Sequence, residues 1–284
     1  MNPDLKRYLN KVADLPTVPM IAQKVMQVVE KPETSVDDLR DVIEGDPAIA
    51  SRILKVANSS LYGFSRSIET LSHAISLLGF RTVRSLVMAA SLNQSFTHFG
   101  LTEKLLWEHA MVGGSVGAAL AGYGGIGVAR DEGFTVGLLH DLGKIALSNC
   151  SHDAYDTVIR RIYNEGISFV EAERDEFGFD HAEIGAAVAA KWKLAPGLVA
   201  AIGHHHDPES LATLAPNEAK LTAMATVTTA CCTRLGVGRR GPVETFQIQE
   251  LAAWKYLGLK DEDLEPVLEL ASVQLENSTG LTSM

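Results

Sequence analysis

Apolar residues recur along most of this chain at spacings of three and four, which is the period of a helix with one buried face. Ile49, Ile53, Leu54 and Ala57, for example, fall on one side of such a helix. We find no convincing pair of alternating apolar and polar segments joined by a tight turn, which is the pattern of a β-hairpin. The periodicity therefore predicts an all-α fold.

Polar residues and glycines between these segments predict where helices begin and end. Ser35 and Asp38 have the spacing of a capping box, in which side chains satisfy the free backbone donors of a helix start. Gly45 would end that helix, because glycine is common just after a helix terminus. Asp46 and Pro47 then start the next helix, since an acidic side chain favours the positive end of the dipole and proline fits the first position.

Two further helices, around Ile68–Leu78 and Thr82–Phe96, are predicted on either side of Gly79. The segment Thr97–Leu101 then marks the boundary between two parts of the chain. It is too short for a flexible linker, so we expect the two parts to pack together. The predicted domains are residues 1–98, an N-terminal helical bundle, and residues 99–284, a second helical domain with the candidate site.

The charge of the chain narrows its range of partners. The chain has 284 residues, of which 46% are hydrophobic, and a formal net charge of -10. This charge disfavours nonspecific binding to nucleic acid or anionic membranes, which depends on neutralising many phosphates with lysine and arginine. We therefore expect no nucleic-acid partner and no membrane partner. The basic residues of the first third are interpreted as solvated helix faces, namely Arg52, Lys55, Arg66, Arg81 and Arg84.

The expected location follows from apolar runs and cysteines. No uninterrupted apolar run reaches the roughly 18 residues of a membrane-spanning helix, and the first residues lack the apolar core of a signal peptide. Cys150, Cys231 and Cys232 form no CxxC pair, so neither a disulfide framework nor a cysteine zinc site is indicated. These features predict a cytoplasmic protein with reduced thiols.

The candidate chemistry centres on His140 and Asp141, which stand in the apolar segment Gly137–Lys144. Such a pair can be a structural hydrogen-bonded pair, or it can hold a divalent metal ion. Six of the nine histidines lie in helix-like segments, and burying them without a shared purpose would leave polar atoms unsatisfied. Imidazole combined with carboxylate suits iron, manganese, zinc or nickel. The histidines without this context are interpreted as surface or capping residues, namely His73, His98 and His152.

The N-terminal half resembles the opening of HDOD domains, a bacterial family of helical signalling modules. The resemblance covers about residues 15–260, and its most specific points are Leu15-Pro16, Asp46-Pro47, Asn58-Ser59 and Leu78-Gly79. HDOD domains are similar to HD and HD-GYP phosphohydrolases, in which histidines and aspartates hold metal ions that act on a phosphoester. The resemblance therefore implies a helical signalling protein with an HD-like second domain, in a family whose members have mostly lost catalytic residues.

The HD pattern can be carried over position by position. His140 and Asp141 match its central doublet, and Lys144 matches the lysine that follows the doublet. If the site were catalytic, the resemblance implies that Asp141 and Lys144 carry the reaction. His204 would lie beside the site rather than in it. The positions matched to metal ligands are His109, His140, Asp141, His181, His205 and His206.

Two departures from the pattern weaken the enzymatic interpretation. The segment Asp207–Ser210 stands where HD-GYP proteins have their GYP motif, which argues against hydrolysis of cyclic di-GMP. The trailing aspartate is replaced by Thr229 or, as an alternative, by Thr228, and a hydroxyl is a poor substitute for a carboxylate. With Asp141 as the one negative charge, two divalent ions would leave a large excess of positive charge. We therefore expect one ion rather than two, with an anion bridging any second ion.

Two functions follow from these features. The first is a signalling or regulatory protein with a degenerate, metal-binding HD site and little or no catalysis, acting through protein partners and able to bind a phosphate or nucleotide. The alternative is a metal-dependent phosphohydrolase of a nucleotide or other phosphoester, in which the ion activates water and Lys144 stabilises negative charge. A third interpretation is that the ion only stabilises the fold.

Overall fold

The computed structural model describes residues 2–11, 20–58, 67–94, 100–239 and 241–282. Within these ranges the regular elements are helices and no β-strand occurs, which confirms the predicted all-α fold. The first five helices are α1 (Pro3–Lys11), α2 (Met20–Val29), α3 (Val36–Glu44), α4 (Pro47–Ala57) and α5 (Leu71–Gln94).

Ten more α-helices follow along the described part of the chain after residue 100, with short 3-10 segments at Pro208–Ala212, Ile248–Glu250 and Asp261–Asp263. The helices are α6 (Leu101–Ala121), α7 (Arg130–Leu139), α8 (Leu142–Cys150), α9 (His152–Glu165), α10 (Phe169–Phe177), α11 (His181–Lys191), α12 (Pro196–His204), α13 (Pro216–Leu235), α14 (Ala252–Tyr256) and α15 (Leu264–Thr282).

The predicted helix starts of the N-terminal half are confirmed. The Ser35 hydroxyl accepts the Asp38 N-H at 3.2 Å, and the Asp38 carboxylate accepts the Ser35 N-H at 2.9 Å, completing the capping box of α3. Gly45 follows the end of α3. Asp46 caps α4 by accepting two backbone N-H groups at 3.1 Å, and Pro47 is the first residue of that helix. Local sequence therefore determines this part of the fold.

Helix α5 contains the break that was predicted near Gly79. Gly79 has φ 78° and ψ 157°, a conformation that a residue with a side chain rarely adopts. The helix begins at Leu71 rather than at the predicted Ile68, where the Ile68 carbonyl oxygen accepts from the Asn58 side chain at 2.8 Å instead of from a later residue of the helix. The stretch Leu71–Ser91 is apolar enough to cross a membrane. However, 67% of its most apolar part is buried inside the fold, as in the core helix of a globular protein.

Glycine contacts bring α6 and α7 unusually close. A Cβ added to Gly113 would lie 2.6 Å from the Gly137 carbonyl oxygen, and one added to Gly117 would overlap the Gly133 carbonyl oxygen. The backbones of the two helices therefore touch directly. His109 lies one turn before Gly113 in α6, and His140 follows Gly137 at the end of α7. The close contact places these two histidines side by side.

A second close contact joins α8 to α11. A Cβ on Gly143 would overlap the His181 carbonyl oxygen, and the backbone nitrogen of Gly185 lies 2.9 Å from the same point. Any larger residue at position 143 would push the two helices apart. Since Asp141 immediately precedes α8 and His181 is the first residue of α11, this contact sets the distance between them.

The N-terminal and C-terminal parts of the chain pack together, as predicted. The Arg52 guanidinium lies 4.9 Å from the Trp107 ring centre, and the Ser85 and Thr135 hydroxyls are 2.9 Å apart. Helix α1 also lies on the C-terminal part, where the Tyr8 hydroxyl is 2.8 Å from that of Ser151. The predicted boundary between residues 98 and 99 lies outside the described residues, so the division into 1–98 and 99–284 stays a prediction. Leu15-Pro16, Ser59 and His98 also lie outside them.

Candidate metal centre

The structure brings together all six residues that the sequence assigned to a metal site. Five of them stand at helix ends, where the chain turns and a side chain can point inward. His140 and Asp141 form the whole connection between α7 and α8, and His205 and His206 directly follow α12. His181 opens α11, and His109 comes from the middle of α6. Their role as metal ligands stays a prediction, but their convergence is a fact of the fold.

The six side chains form two groups that share one carboxylate. In the first, called the His181 group, Asp141 Oδ1 lies 3.2 Å from His181 Nε2 and 3.4 Å from His205 Nε2. His206 completes this group, with its Nε2 3.0 Å from that of His181. All four potential ligand atoms lie within 4.8 Å of one another. This spacing is compatible with a single ion between them.

The second group, called the His109 group, uses the other oxygen of the carboxylate. Asp141 Oδ2 lies 3.2 Å from His109 Nε2 and 3.6 Å from His140 Nε2. The two imidazole nitrogens are 3.2 Å apart. This group offers one protein ligand fewer than the His181 group.

Hydrogen bonds at Nδ1, the ring nitrogen that points away from Asp141, determine the tautomers of the histidines. His140 Nδ1 is 2.8 Å from the Gly137 carbonyl oxygen, and His205 Nδ1 is 2.8 Å from the Ile202 carbonyl oxygen. Because a carbonyl oxygen can only accept, each Nδ1 must carry the proton. A neutral ring then has an unprotonated Nε2, whose lone pair faces Asp141.

His109 and His181 follow the same rule. His109 Nδ1 is 3.3 Å from the Val237 carbonyl oxygen, and His181 Nδ1 is 2.6 Å from a Glu173 carboxylate oxygen. Four Nε2 atoms therefore converge on one carboxylate, an arrangement that is stabilised by a cation, either a proton on one of the rings or a metal ion. Such bonds to the outer nitrogen also orient imidazoles in metal sites.

Glu173 belongs to the candidate site, and sequence reasoning missed it. It lies on α10 and its side chain is 0% exposed. Its carboxylate accepts the backbone N-H of His181 at 2.8 Å, the His181 ring proton, and the Tyr155 hydroxyl at 3.2 Å. It stands among other acidic residues of α10, and no motif or spacing distinguishes it from its exposed neighbours. Only the fold reveals that this one is buried.

Burial and charge act differently on the buried histidines. Burial lowers the pKa of His140 to about 3 and lowers the pKa values of His109 and His205 as well. Burial would also lower the pKa of His181, but the neighbouring carboxylates of Glu173 and Asp141 outweigh it and raise its pKa to about 9. Three rings are thus neutral potential ligands, while His181 is the ring that takes up a proton when no other cation is present.

Lys144 occupies one side of the shared carboxylate. It is buried, with 5% exposure, rather than solvent-exposed. Its Nζ lies 2.6 Å from Asp141 Oδ2 and 4.1 Å from the Phe169 ring centre. Burial would raise the pKa of Asp141, but the Lys144 ammonium and the imidazoles outweigh it and hold that pKa well below its usual range.

The other carboxylate oxygen, Asp141 Oδ1, is buried, and its neighbours at 3.2 and 3.4 Å are the Nε2 atoms of His181 and His205. A buried carboxylate oxygen next to imidazole nitrogens attracts a cation, which is either a proton on His181 or a metal ion that replaces that proton. The residues of the His181 group therefore fit a divalent ion. The fit is chemical as well as geometric, since nitrogen and carboxylate oxygen are the ligands that zinc and its neighbours in the series accept.

A cavity of about 650 Å³ opens onto both groups. Thr229 lines it and donates its hydroxyl to the Ala225 carbonyl oxygen at 2.9 Å. Thr228 is fully buried and does not line the cavity. Of the two alternatives for the trailing aspartate, Thr229 is therefore the one that faces the cavity, and its hydroxyl proton is engaged within its own helix.

The remaining described histidines lie outside both groups. His73 is exposed, and His152 Nδ1 is 3.5 Å from the buried carboxylate of Glu103. His204 lies next to the site in sequence but pairs with Asp207 at 3.7 Å. These placements agree with the interpretation of these residues as surface or structural histidines.

Comparison with known proteins places this site in a family context. A family model of the HDOD domain matches residues 15–208. An uncharacterised protein of Treponema pallidum (strain Nichols) is 26% identical over 207 residues, which make up 70% of this chain. The chain spans only 39% of that relative's length.

Solved structures share the fold at low sequence identity. An HDOD domain protein of unknown function from Geobacter sulfurreducens has a TM-score of 0.79 and 24% identity, with 99% of this chain and 96% of that chain covered. A protein described as a candidate phosphohydrolase, from Shewanella amazonensis SB2B, has a TM-score of 0.68 and 25% identity with the same coverage. A candidate signal transduction protein from Marinobacter aquaeolei VT8 has a TM-score of 0.74 and 23% identity, covering 99% of this chain and 64% of that chain.

Proposed function

This chain belongs to the HDOD family, and on that premise we propose that it is a regulatory module that binds one divalent metal ion and, at that ion, an anionic ligand, with little or no catalysis. The observation that carries the proposal is the convergence of Asp141 Oδ1 with the imidazole nitrogens of His181, His205 and His206, whose potential ligand atoms all lie within 4.8 Å of one another. This set of one carboxylate oxygen and three nitrogens fits one divalent ion, which would replace the proton of His181.

The preference for one ion rests on the placement of Lys144. Its ammonium already contacts Asp141 Oδ2 at 2.6 Å, so an ion in the His109 group would be repelled at short range. Asp141 Oδ1 has no such neighbour. We therefore assign the ion to the His181 group, where three imidazoles and one carboxylate oxygen are available. Iron, manganese, zinc and nickel all accept this ligand set.

The chain's own residues define what the site does with a ligand. A divalent ion held there supplies positive charge for an anionic ligand and lowers the pKa of coordinated water. Lys144 orients the carboxylate and adds positive charge at the cavity. Thr229 offers no carboxylate at the cavity wall, which supports binding over turnover. The candidate signal transduction protein from Marinobacter aquaeolei VT8 shares this fold, in agreement with a regulatory role.

The test measures metal and turnover on the same full-length protein. Protein purified without chelator is analysed for metals, and metal-free protein is titrated with each of the four ions by calorimetry. We expect about one ion per chain in the wild type and an affinity about a hundredfold or more lower with Asp141→Asn. Phosphomonoesters and phosphodiesters are then offered to the loaded protein, and we expect no turnover above the metal-free control. Failure to bind any of the four ions contradicts the proposal.

A second candidate, a metal-dependent phosphohydrolase of a nucleotide or other phosphoester, is favoured by one specific observation. Lys144, Asp141 and three of the histidines line the same open cavity, so the groups that would stabilise a reacting phosphate are already assembled. A structural neighbour from Shewanella amazonensis SB2B is itself described as a candidate phosphohydrolase. Turnover that disappears in both Asp141→Ala and His140→Ala would establish this function in place of the first.

A further inference from the structure

The segment that follows α13 contacts His109, one of the six candidate ligands. Gly236 and Gly238 both have left-handed backbones, with φ 79° and φ 66°. Between them, the Val237 carbonyl oxygen accepts from His109 Nδ1 at 3.3 Å. The chain thus leaves its helix, turns back over α6 and fixes the orientation of His109.

Gly238 is where this segment comes closest to the site. A Cβ at this position would lie 2.5 Å from His109 Cβ and 2.8 Å from the Leu105 carbonyl oxygen. Only glycine fits both the space and the backbone conformation. The next residue, Arg239, is therefore held at the cavity wall by a segment that is itself fixed to the metal centre.

Arg239 differs from the other cations of the cavity in having no acidic partner. Lys144 is paired with Asp141 at 2.6 Å, and Arg174 is paired with Asp180 at 2.7 Å. No described carboxylate lies within ion-pair distance of the half-buried Arg239. Its guanidinium presents five donors in a fork that matches the oxygens of a phosphate.

The rest of the cavity wall is largely apolar. The segment that follows Arg239 contributes Val243, Phe246 and Leu251, and α6 and α9 contribute Leu106 and Ile162. A volume of about 650 Å³ is in the range of pockets for small organic ligands. A free inorganic anion would leave this apolar surface uncovered, whereas an organic phosphate would bury it.

We propose that Arg239 anchors the phosphoryl oxygens of an organic phosphate whose apolar or aromatic part packs against the cavity wall beside Phe246. This inference rests on the proposed metal-dependent anion binding and adds to it the ligand class and a specificity-determining residue. Arg239 acts together with the ion, each contacting the same anion, and does not itself hold the metal.

The experiment uses full-length protein loaded with manganese and two ligands that cannot be hydrolysed, phenylphosphonate and methylphosphonate. Their affinities are measured by calorimetry for the wild type and for Arg239→Gln. We expect the wild type to bind phenylphosphonate about tenfold or more tightly than methylphosphonate, from burial of the ring. Arg239→Gln should weaken both about tenfold to a hundredfold, because a charge-assisted bidentate contact is lost.

Matched variants separate this contact from a general loss of charge. Arg174→Gln removes an equal charge from the same cavity, but from an arginine that is already paired, and should change either affinity less than about threefold. Arg239→Lys keeps the charge without the fork and should fall between wild type and Arg239→Gln. Manganese affinity, measured without any phosphonate, should be unchanged in all three.

Each outcome bears on a separate claim. If wild-type protein binds manganese but Arg239→Gln binds both phosphonates as tightly as the wild type, the role of Arg239 is wrong while the metal site stands. Equal wild-type affinity for the two phosphonates, or no binding of either, overturns the organic-phosphate assignment. Absence of manganese binding in the wild type, followed by the same result with iron, zinc and nickel, would instead contradict the proposed function itself.

Discussion

The two halves of the candidate site differ although they share one carboxylate. The His181 group has the Asp141 oxygen that Lys144 does not contact, three imidazoles and support from the buried Glu173. In the His109 group the corresponding oxygen is already in contact with Lys144, and its two imidazoles are supported by backbone carbonyls alone. The same pattern of histidines can thus make one favourable cation position and one that is partly filled by the protein's own ammonium.

This difference shows why the number of metal ligands in a sequence does not determine how many ions the protein binds. Histidine and aspartate positions determine which donors are available. The charges beside them determine which donor sets remain available to an ion.

The largest effect is expected from Asp141→Asn, which keeps the shape of the shared residue and removes its charge. Because both groups lose their one carboxylate, divalent metal affinity should fall by about a hundredfold or more. Calorimetric titration of metal-free protein gives the affinity. Asp207→Asn, at the exposed part of the same cavity, is the control and should bind metal like the wild type. Equal losses in the two variants would mean that cavity charge in general attracts the ion.

A comparison of His181→Gln with His140→Gln tests which group holds the ion. His181→Gln should reduce metal affinity by roughly a hundredfold, because His181 belongs to the group that holds the ion. His140→Gln should reduce metal affinity by less than about fivefold, because His140 belongs to the group without an ion. Both rings are fully buried, so thermal unfolding of the metal-free variants serves to normalise for stability. A larger loss in His140→Gln would place the ion in the His109 group.

Glu173→Gln should weaken metal binding about tenfold to a hundredfold without removing a ligand. The carboxylate accepts a hydrogen bond from His181 Nδ1, with 2.6 Å between the two atoms. This bond increases the electron density on Nε2, which makes Nε2 a stronger metal ligand, and it holds the ring in place. Glu171→Gln on the same helix is a matched control, because that residue is exposed and should leave affinity unchanged. Identical affinities for wild type and Glu173→Gln would reduce Glu173 to a packing role.

We expect Lys144→Met to change metal affinity least of the variants at the site, but to change the number of ions bound per chain. Removing the ammonium frees Asp141 Oδ2, so a second ion should bind weakly and the titration should rise from one ion towards two per chain. Lys255→Met changes an exposed lysine and should leave one ion. If Lys144→Met still binds a single ion, the ammonium is not what limits the count.

The fold was largely predictable because its signals are local. The capping residues Ser35 and Asp46 and the break at Gly79 act within one or two turns of helix. The six candidate ligands could also be named from the sequence, by a family pattern of histidine spacings. The protonation of these histidines could not be predicted, because it depends on which atoms from distant helices contact the Nδ1 side of each ring.

Glu173 and Arg239 illustrate that limit. Glu173 stands eight residues before His181 on a separate helix, and it reaches the ring only because the turn between α10 and α11 folds it back. Arg239 reaches the cavity only through the left-handed turn at Gly238. The burial of Lys144 likewise depends on a residue from another helix, since its Nζ lies 4.1 Å from the centre of the Phe169 ring.

The glycine contacts between α6 and α7 have one more consequence. Because Gly113 and Gly137 let main chain meet main chain, no compressible layer of side chains separates the two helices. The distance between the His109 and His140 rings is therefore set by contact between two main chains. We expect a core mutation elsewhere to change the melting temperature of this protein more than it changes this distance.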